Sequence, residues 1–180
     1  MICYSGGAIG SDSIFESVCL ENEISIIAFS FSDHNTKSLN CVMLKKHNLL
    51  DGFEHVKKAN IKLNRNLSKI SCYVKNLLSR DWFQVKFSES IYAIGILDTE
   101  STVKGGTGYA CQMAIDENKN VYLFDQTVNS WHYFDYITEK FEIYNGIPKL
   151  TEKFAGIGTR SINNNGINAI QQLLHYNKNV

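Results

Sequence analysis

The residues best placed to do chemistry are three groups of glycines with a hydroxyl, a carboxylate or a guanidinium beside them. The first is Ser5-Gly6-Gly7-Ala8-Ile9-Gly10-Ser11-Asp12, directly after the apolar start Met1 to Tyr4. The second is Gly105-Gly106-Thr107-Gly108, which follows the run Ile91 to Leu97 and a short polar loop. The third is Ala155-Gly156-Ile157-Gly158-Thr159-Arg160, near the C-terminal end of the sequence. A strand that passes into a helix through glycines presents bare backbone N–H groups and the positive end of the helix dipole, which suits phosphate or another anion. Arg160 adds a planar guanidinium for bidentate phosphate recognition, and Arg65 offers the same group with less context. Thr107 can give phosphate both a hydroxyl and an N–H, and Tyr109 can stack on a base or simply pack. Asp12 fits a helix cap as well as an acceptor for a ribose hydroxyl. If a bond is broken, Asp12 and Glu16 are the candidate acids. His34, after a buried strand, is expected to be a loop residue.

The elements that must hold these groups alternate between strand and helix. Met1 to Ser5, Ser25 to Phe31, Ile91 to Leu97, Asn120 to Phe124 and Lys153 to Ile157 are expected as strands. The apolar runs SIIAFSF, IYAIGIL and NVYLF have the continuous character of strands covered on both faces. Helices are expected to start at a Ser11 or Asp12 cap and over Gly52 to Asn64, Leu67 to Ser79, Gly108 to Glu117 and Gly166 to Tyr176. Arg65-Asn66 falls at the junction of the second and third. Ser32 to Leu50 has no clear period and is expected to contain a loop. Asn163 to Asn165 is expected as a polar loop with a helix cap. Alternating aromatic and polar residues from Trp131 to Tyr144 predict a β-hairpin. Such alternation of strands and helices implies right-handed crossovers and a mostly parallel sheet. Three glycine turns converge only if their strands are neighbours, which predicts the order Ser25–Phe31, Met1–Ser5, Lys153–Ile157, Ile91–Leu97, Asn120–Phe124.

Composition narrows the function. The 180 residues suffice for one domain with a real core. Eighteen basic and eighteen acidic residues cancel, which argues against a nucleic-acid binder with a broad basic surface. No apolar run approaches a membrane span, and no basic segment leads into a signal peptide. The five cysteines are scattered without a C-x-x-C and the histidines are dispersed, so reduced thiols in a cytoplasmic protein and no metal site are expected.

Gly6 to Asp12 resembles the G-G-A-x-G-x-D turn of the SLOG superfamily, which includes DprA/Smf and the LOG phosphoribohydrolases. Gly105 to Gly108 resembles its second glycine turn, Gly156-Ile157-Gly158-Thr159-Arg160 its G-S-R turn, and Arg65-Asn66 an R-N pair of some branches. Val103 to Asp125 is similar to phage-borne members. The G-S-R-like unit ordinarily opens the fold, so the resemblance implies a circularly permuted, Rossmann-like doubly wound α/β domain over residues 1–180. Residues 153–176 would be the permuted first unit, and 131–145 a small hairpin insertion. It further implies a small-molecule nucleotide or ADP-ribose-like ligand held by Ser5, Gly6, Gly7, Ser11, Asp12, Arg65, Asn66, Gly105, Gly106, Thr107, Gly108, Tyr109, Gln112, Gly158, Thr159 and Arg160. No further cofactor is implied. Gln112 stands where the phosphoribohydrolases carry a glutamate that takes part in cleavage, and Lys104 where they carry proline. The expectation is a sensor or sequestering protein, in one form a phage protein capturing a host defence signal. The alternative is an N-glycosidase or nucleoside transferase. Related proteins often assemble, and the aromatic hairpin is a surface a monomer would leave partly exposed, so a homodimer is expected.

Overall fold

Apolar runs become strands and the segments between them helices. β1 (Ile2–Ser5) leads through α1 (Ser11–Glu21) to β2 (Ser25–Ser30). A short β3 (Cys41–Met43) precedes α2 (Lys46–Leu63), a 3₁₀ turn at Leu67–Lys69, and α3 (Cys72–Phe87). Then come β4 (Ser90–Gly95), α4 (Gly105–Asp116) and β5 (Asn120–Asp125). The hairpin β6 (Ser130–Asp135) and β7 (Lys140–Tyr144) precedes β8 (Lys153–Gly158) and α5 (Asn164–Lys178). The chain is described here from a computed structural model, which covers residues 1–36 and 38–178.

The strands form one sheet in the order β3-β2-β1-β8-β4-β5-β6-β7. From β3 to β5 every pairing is parallel; β5-β6 and β6-β7 are antiparallel. The five strands expected from sequence stand in the expected order, with β8 between β1 and β4 although it comes last in the chain. The hairpin extends this sheet at its edge. β4 shows why the centre is covered on both sides: Ile91 and Ala93 enter one core while Tyr92 and Ile94 enter the other. Residues of α2, α3 and α4 fill the first core, and those of α1 and α5 the second. From the middle of the sheet, α1 carries the chain from β1 out to β2, and α4 carries it from β4 out to β5 in the opposite direction. Connections that diverge this way leave a crevice at the C-terminal strand ends.

Several local expectations are corrected. The Ser32 to Leu50 stretch holds β3 and the start of α2. β3 is a three-residue edge strand with Val42 and Met43 exposed, so no apolar period marks it. Gly52 lies inside α2 because that helix crosses α3 closely there: a Cβ would come within 2.2 Å of the Ser79 carbonyl. α3 is capped by Ser71, whose hydroxyl accepts from the Val74 N–H, and it runs on to Phe87, well past Ser79. Gly10, not Ser11 or Asp12, occupies the N-cap of α1, and no side chain caps that helix. The Asn163 side chain accepts from the Gly166 N–H at 3.1 Å, which caps α5 as expected. Of the hairpin aromatics, Trp131 and Phe134 are buried in the chain's own cores, whereas Tyr133 is half-buried and Tyr136 exposed.

Candidate functional site

The three glycine turns follow β1, β8 and β4, and hydrogen bonds tie the first turn to the third and the third to the end of β4. The Ser11 N–H and hydroxyl both donate to the Thr159 carbonyl, at 3.1 and 2.9 Å. The Thr159 N–H donates to the Ile94 carbonyl at 2.9 Å. Glycine is required at the point of contact, because a Cβ on Gly158 would lie 2.5 Å from Ser11 Oγ and 2.6 Å from the Ile94 carbonyl oxygen. Between the turns and α3 lies a cavity of about 420 Å³. That volume suits a small-molecule ligand, for which sites span roughly 300–1,000 Å³.

Its mouth is cationic. Lys104 and Arg160 line it, are exposed, and form no ion pair with any described residue. Gly105, Gly106 and Thr107 begin α4 at the same place, and the first N–H groups of a helix have no partner inside it. One wall comes from α3, where Val74, Leu77, Leu78 and Asp81 recur at three- and four-residue spacing and therefore share a face. Burial deepens along this face, from exposed Val74 through half-buried Leu77 to buried Leu78 and Asp81.

At the inner end sits Arg80, buried to 4% exposure. Its Nη1 donates to Gln84 Oε1 at 2.7 Å and to Asp12 Oδ2 at 3.3 Å, and lies 3.2 Å from Asp81 Oδ1. Gln84 is anchored in turn by weak contacts from its amide to the Tyr4 and Gly156 carbonyls. Gly6 makes room for this cluster, since a Cβ there would fall 1.1 Å from Arg80 Nη1. Arg80 Nε is buried with no hydrogen-bond partner among the described residues, a state that costs free energy unless something else satisfies it. Burial raises the Asp81 carboxyl to about 7, the Asp12 charge adding to that rise and Arg80 opposing it. Burial also raises Asp12, against the pull of Arg80 and the Ala8 N–H. Asp81 therefore holds its proton near neutrality, where an exposed aspartate has lost it.

The structure brings Asp12, Gly105, Gly106, Thr107, Gly158, Thr159 and Arg160 to the cavity. Ser5, Gly6, Gly7 and Ser11 support it from the first turn. The Ser5 hydroxyl donates to Glu16 Oε1 at 2.5 Å and accepts from the Gly7 N–H. Glu16 also accepts from Ser38 Oγ, so it stays behind the turn and does not line the cavity.

Five expected ligand residues stand elsewhere. Arg65 donates to the Gly105 and Val103 carbonyls at 2.7 and 2.6 Å and lies 3.8 Å from Asp98, so its charge closes the loop before α4. Asn66 accepts from the Ser68 N–H as cap of the 3₁₀ turn. Gly108 lets α4 approach that loop, a Cβ there coming 2.0 Å from the Val103 carbonyl oxygen. Tyr109 donates to Asn60 Oδ1 at 2.8 Å between α2 and α4, under the Arg65 guanidinium. Gln112 donates to Asp116 Oδ1 at 2.9 Å and faces a separate groove beside Tyr136. It is not among the residues that line the crevice. His34 is a buried loop residue whose Nδ1 lies 2.9 Å from Ser30 Oγ. Burial, with Arg80 and Arg160 nearby, lowers it to about 4, so it is neutral at physiological pH.

Arg80, Asp81 and Gln84 are the site residues that sequence reasoning misses. The available signal is the spacing of Leu78, Trp82 and Val85, which extends the α3 period through them. Among the described residues no group of three or more histidine, cysteine, aspartate or glutamate side chains is placed to hold a metal, and no helix is long and apolar enough to cross a membrane. Comparison of the chain with protein-family models, curated proteins and solved structures gives no match. Fold and site together define an α/β protein with a cavity of about 420 Å³ at its parallel strand ends, with Lys104 and Arg160 in its lining.

Proposed function

We propose that the chain binds a phosphorylated nucleoside derivative, such as a nucleotide or an ADP-ribose-like signal, as a sensor or sequestering protein. The observation that carries this reading is the meeting of three glycine turns on one cavity whose mouth holds a helix N-terminus and two cations with no ion pair among the described residues. Phosphate belongs at that mouth, on the first N–H groups of α4 with Arg160 beside them. The apolar α3 face gives a base or sugar a wall to lie against. Capture of a host defence signal by a phage protein is one form of this activity. The position of β8, the last strand in chain order and central in the sheet, fits a circularly permuted SLOG-type domain. The test is mass spectrometry of small molecules released from the purified protein, followed by calorimetry with what is recovered. A protein that carries no phosphorylated compound and binds none of AMP, ADP and ADP-ribose refutes the reading.

A second reading, hydrolysis at an N-glycosidic bond, is favoured by one observation: Asp81 keeps a proton near pH 7 inside the cavity. Chromatography of the protein incubated with nucleoside monophosphates decides it. Free base and ribose phosphate accumulating with wild-type protein, and not with Asp81→Asn, would establish the enzyme.

A further inference from the structure

Asp81 closes the inner end of the apolar α3 face, and its carboxylate is only half used by the protein. Oδ1 lies 3.2 Å from Arg80 Nη1, whereas no described residue bonds to Oδ2, and 13% of the side chain is open. Asp81 lines the cavity, so that opening gives onto it. Arg80 lines the same cavity, and its buried Nε has no acceptor. Asp12, whose Oδ2 lies 3.3 Å from the same Nη1, lines it as well. The inner end of the cavity thus holds open acceptors beside a guanidinium whose buried Nε still lacks a partner among the described residues, while Lys104 and Arg160 stand at the mouth. A hydroxyl satisfies both kinds of atom at once, because it donates through its hydrogen and accepts through its oxygen. Neighbouring hydroxyls match two carboxylates set about one guanidinium, and an apolar wall leading inward suits the carbon face of a sugar.

We propose that Arg80, Asp81 and Asp12 form a sugar-hydroxyl subsite, so that the site takes ribose phosphates and discriminates against their 2-deoxy counterparts. This rests on the phosphate-binding reading above and adds the sugar to it. A site built to hydrogen-bond a hydroxyl rejects the analogue lacking it, because its own buried polar groups are then left unpaired.

The test is titration of the protein with ribose 5-phosphate and 2-deoxyribose 5-phosphate, by calorimetry or ligand-observed NMR, in wild type, Asp81→Ala, Asp81→Asn and Arg160→Ala. Wild type is expected to bind the ribose compound at least tenfold more tightly. Asp81→Ala should bring that ratio close to one. Any change of charge at Asp81 acts on phosphate binding for both sugars alike, so the ratio isolates the hydroxyl contact. Where Asp81→Ala does not fold, Asp81→Asn keeps the shape and should lower the ratio at least threefold. Equal wild-type affinities for the two sugars, with both weakened by Arg160→Ala, overturn the sugar subsite and leave the phosphate reading standing. A tenfold preference that survives both Asp81 substitutions overturns the assignment to Asp81. Binding of neither compound overturns both readings.

Discussion

Replacing Asp81 with asparagine should stabilise the protein increasingly as pH rises, and the size of the effect follows from its burial. The folded protein holds the Asp81 proton up to about 7, against an ordinary value of 3.8. Between those values the native state binds more protons than the unfolded state, so stability falls as pH rises through the interval. The contribution is fully present below 3.8 and is lost above 7. At about 1.36 kcal/mol per pH unit, the whole interval corresponds to about 4 kcal/mol, of which about 2.5 kcal/mol falls between pH 5 and pH 8. Asparagine has no proton to lose and keeps an oxygen for Arg80 Nη1. Any pH-independent cost of replacing the carboxyl by an amide cancels in the comparison. Urea unfolding of wild type and Asp81→Asn at pH 5 and pH 8 should therefore show the variant gaining about 2.5 kcal/mol on wild type across the range. For a domain of this size that is a relative rise in melting temperature of about 5–10 °C. A difference that is flat with pH, or that moves the other way, would mean that Asp81 is ionised in the folded protein and that the cavity end is better solvated than its burial implies.

Arg160→Ala should weaken a phosphorylated ligand by about 1.5–3 kcal/mol, the range of a charge-assisted hydrogen bond, and leave the matching unphosphorylated nucleoside unchanged; equal losses in calorimetry would assign Arg160 to the fold. Gly6→Ala puts a methyl where Arg80 Nη1 lies, which breaks a buried ion pair and should destabilise by roughly 3 kcal/mol while abolishing ligand binding. Gln112→Ala should change affinity less than twofold, since that amide faces Asp116; a tenfold loss would place it in the site after all. A homodimer remains our proposal, with Ile137 and Ile143 exposed on the outer hairpin as the surface available for it. Light scattering giving a monomer mass at micromolar concentration would remove it.

The order of the central sheet was legible because parallel, doubly covered strands must be apolar on both faces. SIIAFSF, IYAIGIL and NVYLF admit few other interpretations, and the glycine turns then require β8 to stand between β1 and β4. β3 was not legible, because three residues at an exposed edge bury nothing that the sequence could record. Arg65 shows a different blindness. In sequence it is a cation without a partner, but its partners are the backbone carbonyls of Val103 and Gly105. Carbonyls belong to every residue, so no pattern of side chains announces them.

Arg80 was hidden for a reason tied to function. Pattern reading assigns polar residues to the outside, so Ser79-Arg80-Asp81 looks like the end of an amphipathic helix. In the folded chain every residue from Leu78 to Val85 is buried, including Arg80, Asp81 and Gln84. What holds these polar groups inside is mutual pairing, with Gly6 giving the guanidinium its space. Burial sustained by pairing leaves no hydrophobic signature, and a paired cluster with an unsatisfied Nε is a poor arrangement for stability alone. The segment where the sequence pattern fails is therefore the segment that reaches into the cavity, as expected where local consistency has given way to a site.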